Sequence, residues 1–138
     1  MFGTVRELAG GRVELRFERW FAHPREKVWR ALTESAELRR WFVEVLDYDR
    51  SALTFAPGAS LAFVAEGLPT GQGRVLAYDP PALLEYTWDE ETLRWELSAA
   101  DGGCRLVFTN VVGDAGTAAA VDPGWDVGLK RLGDALDL

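Results

Sequence analysis

The sequence predicts an α+β fold in which a curved antiparallel sheet of about six to seven strands wraps around one long C-terminal helix. Three observations predict it. Apolar and polar residues alternate in short segments through most of the chain, turn residues separate these segments, and the last fifteen or so residues change to helical spacing. A sheet and a helix that each have one apolar face bury those faces most simply against each other.

The first predicted strand covers residues 13–21. Val13, Leu15 and Phe17 alternate with charged residues, as expected for a strand with one face in the core. Arg19 shares the parity of these apolar residues. The pattern therefore places a charged side chain on the side of the strand that faces the core.

Two short helices are predicted next, over 24–32 and 35–41. The first begins with proline, which suits a first helical position, and His23 precedes it as a candidate cap. Trp29 and Trp41 are expected to seal these helices against the sheet.

The middle of the chain predicts further strands. One covers 43–48 and is followed by a Ser/Ala/Pro/Gly loop. The others are joined by turns short enough for hairpins, which predicts an antiparallel meander. Their core positions are Leu61, Phe63 and Ala65, then Gly73 to Tyr78, then Leu84, Tyr86 and Trp88, then Leu93, Trp95 and Leu97, and finally Leu106 and Phe108.

The C-terminal helix is predicted to start at Asp122-Pro123, a strong cap and first-turn pair. The Ala-rich segment over 115–121 that precedes it is interpreted as a first helical turn, set at an angle by Pro123. Gly124 and Gly128 lie one turn apart beside its apolar stripe, which leaves either close helix–sheet contact or room for a ligand. The stripe consists of Trp125, Leu129, Leu132 and Leu136, and Asp126 is placed on the opposite face.

This order of elements is a helix-grip arrangement, and here the chain resembles the START-like superfamily, also called SRPBCC or birch-pollen-allergen-like. Within it, the chain is similar to single-domain homologues of the activator of heat-shock-protein-90 ATPase. The resemblance implies one domain over 1–138 with a core over about 11–137. The matching segments are Phe21 to Thr33, Trp41, Gly73 to Leu76, Asp79-Pro80-Pro81, Leu84 to Trp88 and Gly124-Trp125.

Composition limits the partners. The formal charge of −7 and the pI near 4.7 disfavour nucleic acid and anionic membrane surfaces. Cys104 is the only cysteine, so no disulfide can form within the chain, and a cytoplasmic location is expected. No signal peptide or bilayer-spanning run is recognised. We predict no metal and no cofactor, since the chain has one histidine and one cysteine.

No catalytic residue is assigned. His23 lies at a strand-to-helix turn, where capping or solvent exposure is the simpler role. Gly71-Gln72-Gly73 lacks the following helix that a phosphate-binding loop requires. The acidic run over 89–91 is interpreted as a solvated hairpin tip.

A cavity between the sheet and the C-terminal helix is the candidate binding site. Six aromatic residues would supply its apolar surface, and Arg19 or Asn110 would orient a ligand. A well-filled core is the alternative interpretation of the same aromatic set. The candidate lining residues are Arg19, Phe63, Tyr86, Trp88, Trp95, Phe108, Asn110 and Trp125.

These observations favour non-enzymatic binding of a small hydrophobic or aromatic ligand. The resemblance also covers polyketide cyclases, so a second hypothesis is a cyclase or dehydratase in which Tyr86, Glu66 or Arg19 assists proton transfer. A third hypothesis, a chaperone partner and thus a protein-interaction module, follows from the resemblance alone.

Overall fold

A computed structural model describes residues 1–138 and has seven strands and three α-helices. The predicted α+β, helix-grip class is confirmed. In chain order the elements are β1 (Thr4–Glu7), a 3-10 turn (Ala9–Gly11), β2 (Val13–Phe21), α1 (Arg25–Thr33), α2 (Ser35–Leu38), β3 (Ser60–Phe63), β4 (Gly71–Asp79), β5 (Leu83–Trp88), β6 (Glu91–Ala100), β7 (Gly103–Val112) and α3 (Ala115–Leu136).

The strands form one antiparallel sheet in the order β1-β2-β7-β6-β5-β4-β3. Strands β3 to β7 follow one another as the predicted meander, and β7 returns to pair with β2. The turn between β6 and β7 is Asp101-Gly102, with φ of 50° and 77°. Positive φ at both central residues is what a two-residue type I′ hairpin turn requires, so this turn fixes the register of the two longest strands.

The C-terminal part of α3 is buried against the sheet. Leu129, Leu132 and Leu136 are all at most 3% exposed and belong to the same core cluster as Phe17 of β2. Complete burial of such a side chain contributes about 1.5–3 kcal/mol to the free energy of folding. Trp125, the first residue of the predicted stripe, is only partly buried.

Trp29 of α1 and Trp41, in the turn that follows α2, hold that region to the core. The second helix was predicted over 35–41 but ends at Leu38. The Trp41 Nε1–H donates to the Ala31 carbonyl oxygen of α1 at 2.8 Å, so a buried polar group is satisfied. Trp29 packs edge-on against Tyr78 of β4 at 5.7 Å between ring centroids. His23 does not cap α1, because Pro24 holds that position; instead its Nε2 lies 2.7 Å from Asp137 Oδ1 beyond α3.

The strand predicted over 43–48 is wrong, because this segment forms turns. Asp47 Oδ1 accepts hydrogen bonds from the backbone N–H groups of Asp49 and Arg50. The Tyr48 hydroxyl donates to the Val43 carbonyl oxygen at 2.7 Å. Such local side-chain bonds to the backbone compete with a strand ladder. Strand β1, an exposed edge strand, was not predicted.

The predicted start of the last helix is also wrong, because α3 begins eight residues earlier and runs through Pro123. Its cap is Asp114, whose Oδ1 accepts from the Thr117 N–H at 2.7 Å. Asp122 is 1% exposed, and its two carboxylate oxygens accept from the backbone N–H groups of Phe2 and Gly3 at 2.9 and 2.8 Å. Asp122 therefore anchors the N-terminal segment to α3.

None of the three helices combines the length and apolar character needed to cross a membrane.

Asp122→Ala is expected to lower the free energy of unfolding by about 1–3 kcal/mol, because two backbone donors lose their acceptors. Denaturant unfolding followed by circular dichroism measures this. Asp134→Ala, at an exposed position of the same helix, is the control and should change stability by less than about 0.5 kcal/mol. Equal effects of the two substitutions would contradict the anchoring role.

Candidate functional site

One large pocket, of about 1090 Å³, opens between α3, the turn joining β5 to β6, and the segment that follows α2. Four of its eight hydrophobic lining residues are aromatic. The lining residues are Trp41, Phe42, Val43, Glu44, Trp88, Asp89, Glu90, Glu91, Leu93, Gly113, Asp114, Thr117, Val121, Pro123, Gly124, Trp125, Val127, Gly128 and Arg131.

Phe42 contacts both tryptophans of the pocket lining that come from the sheet and from α3, Trp88 and Trp125. Phe42 lies 6.2 Å from the Trp88 ring and 6.0 Å from the Trp125 ring, measured between centroids. The Trp88 ring stacks on Phe63 at 4.0 Å with an interplanar angle of 5°. The pocket thus has a continuous aromatic wall contributed by the sheet, the post-α2 segment and α3.

Glycines shape the pocket at two places. A Cβ added to Gly124 would meet no atom within 4 Å, so this part of α3 presents bare backbone to the pocket. At Gly71 the opposite holds, since a Cβ there would lie 2.6 Å from Trp88 Nε1. The Trp88 indole therefore packs against the backbone at Gly71, because only a residue without a side chain leaves space for it there.

A hydrogen-bond chain fixes the orientation of Trp125. Its Nε1–H donates to Asn110 Oδ1 at 3.0 Å. The Asn110 side-chain amide in turn donates to Glu91 Oε1 at 3.2 Å and to the Thr92 carbonyl oxygen at 3.1 Å. Asn110 is fully buried, and its bonds are made to protein groups. Asn110 thus positions Trp125, whereas the sequence suggested direct contact with a ligand.

Three further candidates lie behind the pocket wall. Trp95 stacks on Phe108 at 3.9 Å, and Phe108 meets the Trp125 ring edge-on at 4.6 Å. The Tyr86 hydroxyl accepts from Trp95 Nε1 at 3.3 Å, and burial raises the pKa of this phenol above its ordinary value. All three rings are at most 1% exposed. Phe63 likewise supports the wall without lining it.

Arg19 lies outside the pocket lining. Its Nη2 is 3.0 Å from Asp126 Oδ1, and its guanidinium stands over the Phe17 ring at 5.4 Å. Lys130 Nζ is 3.0 Å from the other oxygen of Asp126. Hydrogen bonds from Lys130 and then Arg19 hold the pKa of Asp126 below its ordinary value. The predicted exposed face for Asp126 is wrong, because the carboxylate is buried between these two cations.

The pocket has an acidic side that the residue pattern does not place. The hairpin tip over 89–91 is solvated at Asp89 and Glu90, as predicted, and all three of its residues also line the pocket. Asp114, Val121 and Arg131 were also missed. The position of the tip relative to α3 depends on the lengths of the two strands of the hairpin. The residue pattern gives those lengths only to within a residue or two, so it does not place the tip beside the pocket.

No group of three or more His, Cys, Asp or Glu side chains is arranged to hold a metal ion. Cys104 is buried at the start of β7, and burial raises the pKa of its thiol.

Residues 22–137 match the family described as Activator of Hsp90 ATPase homolog 1-like protein. The chain belongs to this family. The match confirms the resemblance seen in the sequence, and it covers α1, α2, the meander and α3. A search of curated proteins finds no match for this family member.

The family has the short name AHSA1. Solved structures share the fold of this AHSA1-like chain at low sequence identity. MLL2253 from Mesorhizobium loti is 23% identical, with a TM-score of 0.76 over 90% of this chain and 96% of that one. CalU16 from Micromonospora echinospora is 22% identical, with a TM-score of 0.72 over 96% and 82%. EF2215 from Enterococcus faecalis, described as a conserved protein of unknown function, is 22% identical, with a TM-score of 0.79 over 97% and 76%. These likenesses establish the fold.

Asn110→Ala in this AHSA1-like chain is expected to lower the free energy of unfolding by about 1–3 kcal/mol, since it leaves buried partners without hydrogen bonds. A double-mutant cycle with Trp125→Phe should give a coupling of about 1 kcal/mol, measured by urea unfolding. Trp20→Phe is the matched control, because the Trp20 indole donates to the Ala100 carbonyl oxygen instead. Additive effects of Asn110→Ala and Trp125→Phe would disprove the positioning role.

Asp126→Asn tests whether the ion pair between Asp126 and Arg19 stabilises the fold. A carboxyl whose pKa is lowered by folding stabilises the fold above its unfolded pKa, and this contribution is lost as the pH falls. The wild-type chain should therefore exceed Asp126→Asn in stability at pH 7, with the difference shrinking below about pH 4. Urea unfolding at several pH values measures it, and Asp134→Asn should show no such trend. A difference independent of pH would contradict the ion-pair role.

Proposed function

We propose that this chain is a non-enzymatic binder of a small hydrophobic or aromatic molecule, held between the sheet and α3. The observation that carries the proposal is the aromatic pocket of about 1090 Å³ with bare helix backbone at Gly124. Its volume lies just above the range of small-molecule sites, about 300–1,000 Å³. Burial of apolar ligand surface there would supply affinity of about 25 cal/mol per Å² before the costs of association are subtracted.

Two features of the walls favour binding. Trp88 and Trp125 are held in place by a stacking contact and a hydrogen bond, respectively, so their ring orientations are set before a ligand arrives. Preorganised aromatic walls reduce the conformational entropy lost on binding.

The residues named for the cyclase or dehydratase hypothesis give it little support. Tyr86 is buried behind the wall with a raised pKa, Arg19 is paired with Asp126, and Glu66 is exposed in a loop. None of the three lines the pocket. A general acid or base must lie within hydrogen-bond reach of the reacting group, directly or through one water.

Membership of the family is compatible with small-ligand binding and with chaperone association. The pocket is the observation that favours the first. The charge of −7 supports a protein that acts away from nucleic acid and anionic membranes, and we propose a cytoplasmic location on the basis of the lone cysteine.

Titration with N-phenyl-1-naphthylamine, a neutral dye whose emission rises in apolar surroundings, tests the proposal. We expect saturable binding at micromolar dye. Gly124→Leu should weaken binding by tenfold or more, since the new side chain projects into open pocket space, and should leave the fold intact because leucine is a better helix former than glycine.

Ala119→Leu is the control, because it adds a leucine to the same helix at an exposed position outside the pocket lining. It should leave the dye affinity within about twofold of wild type, a change of about 0.4 kcal/mol. The indole N–H signals of Trp88 and Trp125 should shift on dye addition in proton–nitrogen NMR spectra, while that of Trp20 stays in place. Absence of dye binding by the folded wild-type chain would overturn the proposal.

A further inference from the structure

The charges around the pocket are strongly unbalanced. Four of the lining residues that bear carboxylates form no ion pair with a lysine, arginine or histidine of the chain. The one lining cation, Arg131, has Glu44 as its neighbour at 3.8 Å. The four unpaired acidic residues are Asp89, Glu90, Glu91 and Asp114.

Where these carboxylates have partners, the partners are neutral donors. Asp89 Oδ1 accepts from the Gln72 N–H, and Asp114 Oδ1 accepts from the Thr117 N–H, which lowers the pKa of Asp114. Glu91 Oε1 accepts from the Asn110 amide. These bonds position the carboxylates without forming ion pairs to them. The cation at the hairpin tip, Arg12, donates from Nη2 to the Glu90 backbone carbonyl oxygen at 2.9 Å, and it forms no ion pair with the four carboxylates.

Glu91 is the acidic group best tied to the aromatic wall. Through Asn110 it shares one hydrogen-bond chain with the Trp125 indole, whose ring lines the pocket. Only one of its carboxylate oxygens accepts a hydrogen bond from the protein, so the other has capacity for a donor carried by a ligand. The faces of Trp88 and Trp125 add their own attraction for a cation, since indole is the most effective ring for cation–π contact.

We propose that the ligand of this pocket is a hydrophobic cation, an aromatic or aliphatic molecule bearing a protonated amine. This inference rests on the proposed binding function and names the class of ligand. The apolar part would lie against the aromatic wall, and the ammonium group would lie at the acidic side near Glu91. An anionic ligand would meet like charges from four unpaired carboxylates and a single paired arginine.

Three probes that share one ring system separate ligand charge from ligand shape. They are 1-naphthylmethylamine, which is a cation at pH 7, the neutral 1-naphthylmethanol, and the anion 1-naphthoate. In isothermal titration calorimetry at about 20 mM salt we expect the amine to bind about tenfold more tightly than the alcohol, and the naphthoate more weakly than both. The preference should shrink as salt is raised to about 0.5 M, because the Debye length falls.

Charge-neutral variants show which carboxylates cause the preference for the amine over the alcohol. Glu91→Gln and Asp89→Asn keep the hydrogen-bond acceptors and should each reduce the amine-over-alcohol preference about threefold. Asp101→Asn is the matched control for Asp89→Asn, since both aspartates occupy hairpin turns with a positive φ, 54° at Asp89 and 50° at Asp101. The two turns lie at opposite ends of β6, about 30 Å apart at about 3.3 Å per residue, so distance and the high dielectric constant of water make the influence of Asp101 on the pocket small.

The outcomes distinguish the two proposals. Equal affinity for the three probes overturns the cation proposal and leaves the binding function in place. Tightest binding of the naphthoate overturns it as well. Failure of the three probes and of N-phenyl-1-naphthylamine overturns both proposals. A loss of preference in Asp101→Asn as large as that in Asp89→Asn assigns the effect to total charge and overturns the local assignment.

Discussion

The burial of α3 against the sheet is the interaction on which the rest of this structure depends. Leucines at 129, 132 and 136 fill the space between the C-terminal part of the helix and the strands. In the preceding turns of the same helix, Gly124 and Gly128 lie on either side of Trp125, and Gly124 faces open space. One helix thus closes the core at one end and leaves a pocket at the other, because the size of its side chains changes along its length.

The aromatic residues join these two ends. Trp95 and Phe108 stack in the core, and Phe108 also contacts Trp125 in the pocket wall. The two interpretations of the tryptophan-rich sequence, a filled core and a cavity lining, therefore apply to different members of one cluster. Asn110 is the polar group at their junction, and its complete satisfaction by protein partners allows it to be buried there.

Much of the fold could be predicted because strand and helix periodicities are local properties. The alternation over 13–21 and the spacing from Leu129 to Leu136 correspond to real elements. The predictions are wrong where a contact between residues far apart in the sequence determines the position of a side chain. Asp122 was interpreted as a helix cap, but its partners are Phe2 and Gly3, at the other end of the chain. Of the eight candidate lining residues, Trp88 and Trp125 line the pocket, and Arg19 does not because it pairs with Asp126.

The anchor between the first residues and α3 has a mechanical consequence. Asp122 directly precedes Pro123 and Gly124, which line the pocket, and Pro123 has no N–H with which to strengthen the helix at that point. The hydrogen bonds from the main chain of Phe2 and Gly3 thus stabilise the helix at the point where its own hydrogen bonding is interrupted. An affinity tag or a trimmed terminus that broke these bonds would disturb the part of α3 that lines the pocket. The choice of N-terminal extension is therefore part of the design of a binding measurement.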